Sequence, residues 1–458
     1  MIKENNKSIY FIGIGGIGMS GIAEFLHFQG FKISGSDLNN SDRTNYLSSL
    51  DIDIKIGHNS KNIKNYDIVV YSSAVKMDNI EIIESKKKNI PVIRRAEMLG
   101  ELLKLKPISI AISGTHGKTT SCSMLSSILI EAELKPTVII GGIVNNFGSN
   151  TLSGKGDIIV VEADEFDRSF LSLQPSISLI NNLELEHTDC YDDLDDLKDA
   201  FINFANASHI DGITGICIDD PNVRDIIKKL KRSYKTYGIS KEASIRAENI
   251  KYDGFNSYYD LYKDNHQISN IKLEVPGKHN IQNSLAAITL AMELNISVDQ
   301  IKNGLEKYSG VKRRLEVTHK LKNGSILFDD YAHHPTEVAA SLSAIKASFK
   351  NRIITVFQPH LYSRTHNFYK DFASALSISD ISILVDIFPS REKPIQNVTS
   401  ELIYNEMKKE DGKNIFLNNE ISLLPNMIKD IYKDGDILIT MGAGDIYKQN
   451  DKIYEAIL

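Results

Sequence analysis

Cysteine is scarce in this 458-residue chain: Cys122, Cys190 and Cys217 are the only three. An odd, scattered set forms neither a disulfide framework nor a metal-knuckle spacing, and it fits a reducing cytosol. Positive charge is not in excess either. Lys and Arg number 53 against 59 Asp and Glu, a net charge of −6, which leaves no basic footprint for nucleic acid. Nowhere does an apolar run reach the roughly 18 residues of a membrane span, so membrane insertion is not expected. Met1 to Lys7 is polar and leads straight into a strand, without the apolar region of a secretory signal. There is no sequence repeat, coiled coil or low-complexity tail. What is present is the composition of a globular protein, 42% hydrophobic and 24% charged. The length calls for about three domains, and the expected location is the cytoplasm.

The fold class expected is α/β throughout, because apolar strands alternate with helical stretches. In residues 1–107 the strands Ile9–Ile12, Phe31–Ser34 and Asp67–Tyr71 alternate with helix, as in a Rossmann-like parallel sheet. Lys104-Leu105-Lys106-Pro107 breaks the pattern. A second unit, 108–310, repeats it with Thr137–Ile140, Asp157–Val161, Ser176–Ile180 and Gly212–Ile218. Residues 244–275 alternate as two or three antiparallel strands, and helices follow from Asn280 to Tyr308. A third α/β unit, 311–458, has strands at Ser325–Phe328, Arg352–Phe357, Ile381–Val385, Lys413–Phe416 and Asp436–Thr440.

The chemistry starts at Gly114-Thr115-His116-Gly117-Lys118-Thr119-Thr120, between the apolar run Ile108–Ile112 and a helical stretch from Ser121 to Glu131. A glycine turn between strand and helix cradles phosphate: backbone N–H groups and the helix dipole meet the anion, Lys118 adds a point charge, and Thr119 can hold Mg²⁺. The first glycine of the common phosphate-loop spacing is absent, since Ile112 stands there. A second glycine turn, Gly13-x-Gly15-Gly16-x-Gly18, also follows a strand, with Asp37 placed to reach a ribose. Read alone, it fits a dinucleotide site or a ligand-free turn. Two separate phosphate turns suggest one nucleotide as a handle and another as fuel.

Acids follow the next strand in Glu162-Ala163-Asp164-Glu165-Phe166-Asp167. Strand ends of α/β sheets face the ligand crevice, and Mg²⁺ takes oxygen ligands beside phosphates. Glu162 is the candidate ligand, with Asp164 and Glu165 in reserve; a solvated acidic turn is the alternative. His187, after another strand, is either structural or a ligand. His279, Asn280 and Asn283 lie at a helix start, as a surface cap or as nucleotide contacts. In Asp329-Asp330-Tyr331-Ala332-His333-His334-Pro335 the adjacent histidines diverge on any regular element, which argues against one ion held by both. Arg364, after Phe357-Gln358-Pro359-His360, has the planar fork for a carboxylate or phosphate. Met441-Gly442-Ala443-Gly444-Asp445 is a last glycine turn.

Taken in order along essentially the whole chain, these motifs resemble the Mur ligases of peptidoglycan synthesis. The most specific marks are Gly13 to Gly21, Ser113 to Thr120, Glu162 to Glu165, His279-Asn280-x-x-Asn283, Asp329 to Pro335, Phe357 to His360 and Met441 to Asp445. The resemblance implies an N-terminal domain that binds the UDP part of UDP-N-acetylmuramate, a central ATPase domain, and a C-terminal domain that closes over ATP and binds the amino acid. Within the family the marks are those of the branch that takes L-alanine. The implied reaction joins L-alanine to the lactyl carboxylate through an acyl phosphate, with ATP and Mg²⁺.

Carried over residue by residue, the resemblance gives Gly13, Gly15, Gly16, Gly18, Met19, Ser20, Asp37 and Ser72 to the UDP-sugar. It gives Gly114 to Thr120, His279, Asn280, Asn283, Arg314 and Asp330 to ATP. Thr119, Glu162 and His187 go to the metals, and Lys118, His333, His334 and Arg364 to catalysis and the incoming amino acid. Three departures stand out. Glu165-Phe166-Asp167 replaces a more polar run, Arg168 replaces a small residue, and Leu361 stands where arginine is frequent. No position is assigned to the carbamylated lysine of related ligases. The competing readings are a ligase that attaches a whole peptide to the same sugar nucleotide, an NAD-dependent oxidoreductase, and a non-catalytic nucleotide sensor.

Overall fold

Runs of isoleucine, valine and leucine become strands buried on both faces, as parallel sheets covered by helices require. The computed structural model describes residues 7–186, 190–390, 392–409 and 414–458, and it holds three sheets. In the first, the strand order is Asp53–Ile56, Lys32–Asp37, Ser8–Ile12, Ile68–Tyr71, Val92–Arg94, with neighbouring strands parallel. The order reverses beside Ser8–Ile12. Ligands of open α/β sheets bind outside the strand ends at such a reversal, and the first glycine turn leaves that strand there.

The second sheet has ten strands. At its centre, Ile108–Ser113 lies between Ile177–Ile180 and Ile158–Glu162, all parallel. This arrangement delivers the phosphate turn, Asn181 and the acidic run to one end of the sheet. Thr137–Val144 continues the sheet, and Ser149–Leu152 closes that edge in antiparallel fashion, a strand the sequence reading lacked. At the other edge Ile245–Asp253, Asn256–Lys263 and His266–Leu273 follow one another, three strands where two or three were expected in residues 244–275.

The third sheet runs Glu316–Lys320, Ile326–Asp330, Ile437–Met441, Ile353–Phe357, Ile381–Val385, Asn414–Asn418. All its pairings are parallel except that of Glu316–Lys320, a further antiparallel edge absent from the sequence reading. Of the strand expected at Lys413–Phe416, Lys413 lies outside the described residues.

By packing, the chain divides into two compact units. One comprises residues 1–249, 259–271 and 282–309; the other comprises 250–258, 272–281 and 310–458. The first sheet and most of the second share the first unit, and one continuous core joins them: Leu99, Leu102 and Leu103 pack in the same cluster as Phe170 and Leu173. Two glycines permit that approach. A Cβ on Gly100 would lie 2.6 Å from the Ser172 carbonyl, and one on Gly21 would lie 2.5 Å from Thr151 Oγ1. The Asn150 amide fastens the seam, donating to the Ile17 carbonyl at 2.9 Å and the Ile140 carbonyl at 3.3 Å. In the other unit, the third sheet is covered on its two faces by separate apolar clusters around Phe357 and Ile383.

Candidate active site

The loop Gly114–Gly117 leaves a buried strand and enters the helix Lys118–Glu131. Gly117 caps that helix at φ 82, a conformation costly for any residue with a Cβ, and an added Cβ would collide with Asn283 Oδ1. The loop is held by polar side chains from neighbouring strand ends. His116 N–H donates to Asn182 Oδ1 at 2.7 Å, Thr115 Oγ1 exchanges bonds with the Glu184 backbone at 2.9 and 3.1 Å, and His116 Nε2 meets Glu184 Oε2 at 3.0 Å. Ser121 Oγ donates to Asn283 Oδ1 at 3.2 Å. Asn283, assigned to ATP from the resemblance, therefore braces the loop itself. Thr120 is buried beneath it.

Lys118 Nζ donates to the Gly114 carbonyl at 2.7 Å and to Glu165 Oε2 at 2.7 Å, with Asp164 Oδ1 at 4.0 Å. Burial works against its charge, but the carboxylates of Glu165 and Asp164 outweigh it and hold the ammonium protonated. Burial likewise pushes the Glu165 carboxyl up to about 7, with Lys118 opposing. The sequence reading held Glu165 in reserve as a metal ligand; in the structure it is the counter-ion of the loop lysine.

Glu162, at the end of its strand, is raised by burial and lowered by a hydrogen bond from Thr119 and one from the Gly141 N–H. Its Oε1 has no hydrogen-bond partner among the described residues. An orphaned buried carboxylate oxygen next to a threonine hydroxyl is a donor pair suited to a small hard cation. His187 lies outside the described residues.

At the first glycine turn, Gly13 N–H and Ile14 N–H both donate to the Ser36 carbonyl, at 2.8 and 3.0 Å. Gly15 N–H donates to Asp37 Oδ2 at 2.8 Å. Asp37 thus ties the turn to the neighbouring strand through one oxygen. Ser72 ends the strand on the other side and lies against Gly13, while Gly16 and Gly18 open the helix Ile17–Phe28. Ser20 Oγ donates to the Ile17 carbonyl at 3.0 Å. The Met19 side chain turns inward, 1% exposed, and packs in the core.

In the other unit, Asp330 ends its strand and is 3% exposed. Burial pushes its carboxyl up to about 6, opposed by a hydrogen bond from Ser341 and by Arg314. Arg314 Nη1 stands 3.6 Å from Glu337 Oε1, and Glu337 Oε2 accepts from the His333 N–H at 3.0 Å. His279 is pushed down to about 4 by burial and then by Arg314, so its imidazole is neutral at physiological pH. The Asn280 amide donates to the Pro276 carbonyl at 2.7 Å. His333 and His334 diverge as their adjacency requires: His333 Nδ1 lies 3.0 Å from the Tyr331 carbonyl and its ring 5.8 Å from His360, whereas the His334 ring packs on Phe368 at 5.0 Å. Arg364 is buried, with Nη1 3.4 Å from His360 Nδ1. Leu361 is 8% exposed at φ 72 and caps the helix Tyr362–Leu376, which carries Arg364.

Sequence reasoning missed Asn181 and Asn182, whose side-chain amides meet the His116 carbonyl at 3.3 and 3.2 Å. It also missed Tyr191, whose hydroxyl donates to the Glu165 carbonyl at 2.6 Å. The asparagines follow a strand end and were within reach of that rule; nothing in the sequence points to Tyr191.

Two glycine turns at sheet ends, a buried lysine facing acids, and a third α/β unit with clustered histidines and arginines describe a nucleotide-dependent ligase. The chain belongs to the Mur ligase family. Its catalytic-domain model matches residues 8–107, the Mur ligase middle domain 112–291, and the Mur ligase glutamate ligase domain 313–444. The chain is 43% identical over 452 residues to the UDP-N-acetylmuramate–L-alanine ligase of Syntrophus aciditrophicus (strain SB), covering 97% of this chain and 92% of that one. It is 44% identical to the same-named ligase of Persephonella marina (strain DSM 14350 / EX-H1), over 99% of this chain and 97% of that one. The crystal structure of UDP-N-acetylmuramate-alanine ligase from Thermotoga maritima matches with a TM-score of 0.84 at 27% identity, over 98% of this chain and 99% of that one.

Proposed function

We propose that this protein joins L-alanine to the lactyl carboxylate of UDP-N-acetylmuramate at the expense of ATP, in cytoplasmic synthesis of peptidoglycan precursors. The observation that carries the reading is the pairing, within one unit, of a glycine turn at Gly13–Gly18 with a lysine-bearing phosphate turn at Gly114–Thr120. The first holds the UDP handle, with Asp37 and Ser72 beside it. The second holds ATP. Relatives named for this reaction, alike over nearly the whole chain, support the assignment.

The difficulty of the reaction is electrostatic, since a carboxylate must attack the γ-phosphate of a polyanion. Lys118 leaves Glu165 for the β- and γ-phosphates, and the loop N–H groups meet the same oxygens. Thr119 and Glu162 would hold Mg²⁺, which would offset phosphate charge. Attack forms the acyl phosphate and releases ADP; the alanine amine then attacks the acyl carbon and expels phosphate. His279, Asn280, Arg314 and Asp330 serve the nucleotide from the other unit. Arg364 takes the amino-acid carboxylate, with His333 close by across the His360 ring and His334 on Phe368 of the same helix as Arg364, for the amine. Neutral His279 can accept or donate at an adenine edge without adding charge.

Phosphate release with ATP, UDP-N-acetylmuramate and each amine tests the reading. L-Alanine should stimulate release and a tripeptide should not; stimulation by tripeptide alone would replace this function with peptide attachment. Lys118→Ala should lower turnover roughly 10²- to 10³-fold while leaving sugar-nucleotide affinity unchanged, which a mere nucleotide sensor would not do. Tight NAD binding with no response to the sugar nucleotide would return the oxidoreductase.

A further inference from the structure

Arg95 opens the helix Arg95–Leu103, just after the short strand Val92–Arg94. Its guanidinium lies against the end of the first glycine turn: a Cβ placed on Gly18 would be 3.1 Å from Nη1 and 3.5 Å from Cδ. The same side chain lines a small cavity together with Ala96, Leu99, Glu162, Asp164 and Phe170. It therefore stands between the UDP turn and the acids that end the strand Ile158–Glu162. The side chain is half-buried, yet among the described residues no hydrogen bond or ion pair joins it to a carboxylate.

Nearby arginines behave differently. Arg43 is bound by Glu24 and Ser20, Arg168 by Asp196, and Arg94 by the Tyr71 hydroxyl. Each of these is a structural brace. A half-buried guanidinium without such a brace, in a cavity that also contains two carboxylates, has a planar fork available for an incoming anion.

We infer that Arg95 binds the lactyl carboxylate of the sugar nucleotide and points it toward the Glu162–Thr119 side of the ATP site. The inference rests on the function proposed above and names a residue for its least favourable approach. The diphosphate is met by the N–H groups of the Gly13–Gly18 turn and the start of the helix Ile17–Phe28. The reacting carboxylate must lie beyond the diphosphate, toward Glu162, and there it meets two like charges. Lys118 serves the phosphates on the far side; Arg95 supplies the cation on the near side. It takes no part in bond making or breaking, and acts by orienting and by charge.

Calorimetry on the full chain compares UDP-N-acetylmuramate with UDP-N-acetylglucosamine, which lacks the lactyl group. Arg95→Ala should weaken the first by roughly 30- to 150-fold and change the second by less than about 3-fold. Arg95→Lys, which keeps the charge and the packing but not the fork, should fall between. ATP affinity should stay at the native value in both variants, which separates the effect from misfolding. Equal weakening of both sugar nucleotides would move Arg95 to the diphosphate and overturn the inference, as would no weakening of either. A native protein that releases no phosphate with these substrates overturns the proposed function itself, and this inference with it. Native turnover with an indifferent Arg95→Ala overturns only the inference.

Discussion

Single residues in this protein are set by burial against charge. Asp330 shows the sign. Its ordinary value of 3.8 rises to about 6 in the fold because burial disfavours the carboxylate. The folded state therefore binds this proton more tightly than the unfolded chain. The stability it contributes is fully present below pH 3.8 and is lost as pH climbs through about 6. A shift of this size corresponds to about 3 kcal/mol. Asp330→Asn should thus flatten the fall of unfolding free energy between those limits, measured by denaturant titration at several pH values; parallel curves would refute it. Arg364 tests a second residue. Truncation to Ala should raise KM for L-alanine by roughly 30-fold and leave KM for ATP alone, if the fork serves the amino acid as proposed. Leu361, three positions before Arg364, is itself buried and offers that carboxylate no second cation.

Elements carry the same argument one level up. The phosphate turn works because a buried strand ends at Ser113 and a helix starts at Lys118, with Gly117 at φ 82 between them. Gly117→Ala should cost roughly 1–2 kcal/mol in backbone strain and add the collision with Asn283. Thermal unfolding and ATP titration should both register it, while sugar-nucleotide affinity stays native; undiminished ATP binding would mean that the turn is not the phosphate site. These elements were legible because strand, glycine turn and helix are adjacent in sequence and obey local rules. The edge strands Ser149–Leu152 and Glu316–Lys320 were not. Each is short, weakly apolar and antiparallel to its neighbour, so its existence depends on that neighbour offering a free edge.

At the scale of the molecule, Lys118 belongs to one compact unit and Arg314, Asp330 and Arg364 to the other. If both sets serve one reaction, as proposed, the substrates are expected to draw them into one arrangement. Small-angle scattering should record a smaller radius of gyration with an ATP analogue and UDP-N-acetylmuramate together; an unchanged value counts against closure. A continuous core also joins the two sheets of the first unit. The two glycine turns, Gly13–Gly18 and Gly114–Gly117, are thereby held on one packed body.

The sequence by itself determined the three α/β units, the two glycine turns, the lysine and the acids that follow the strands. Those features are written in neighbouring residues, through hydrophobic period, turn chemistry and the rule that strand ends face the crevice. Only the tertiary structure decided that Glu165 pairs with Lys118, that Asn283 accepts from Ser121 and crowds Gly117, that Met19 faces the core, and that Arg95 lies between Gly18 and Glu162. These relations join residues far apart in the chain, and which charge meets which is settled by packing, not by any local pattern.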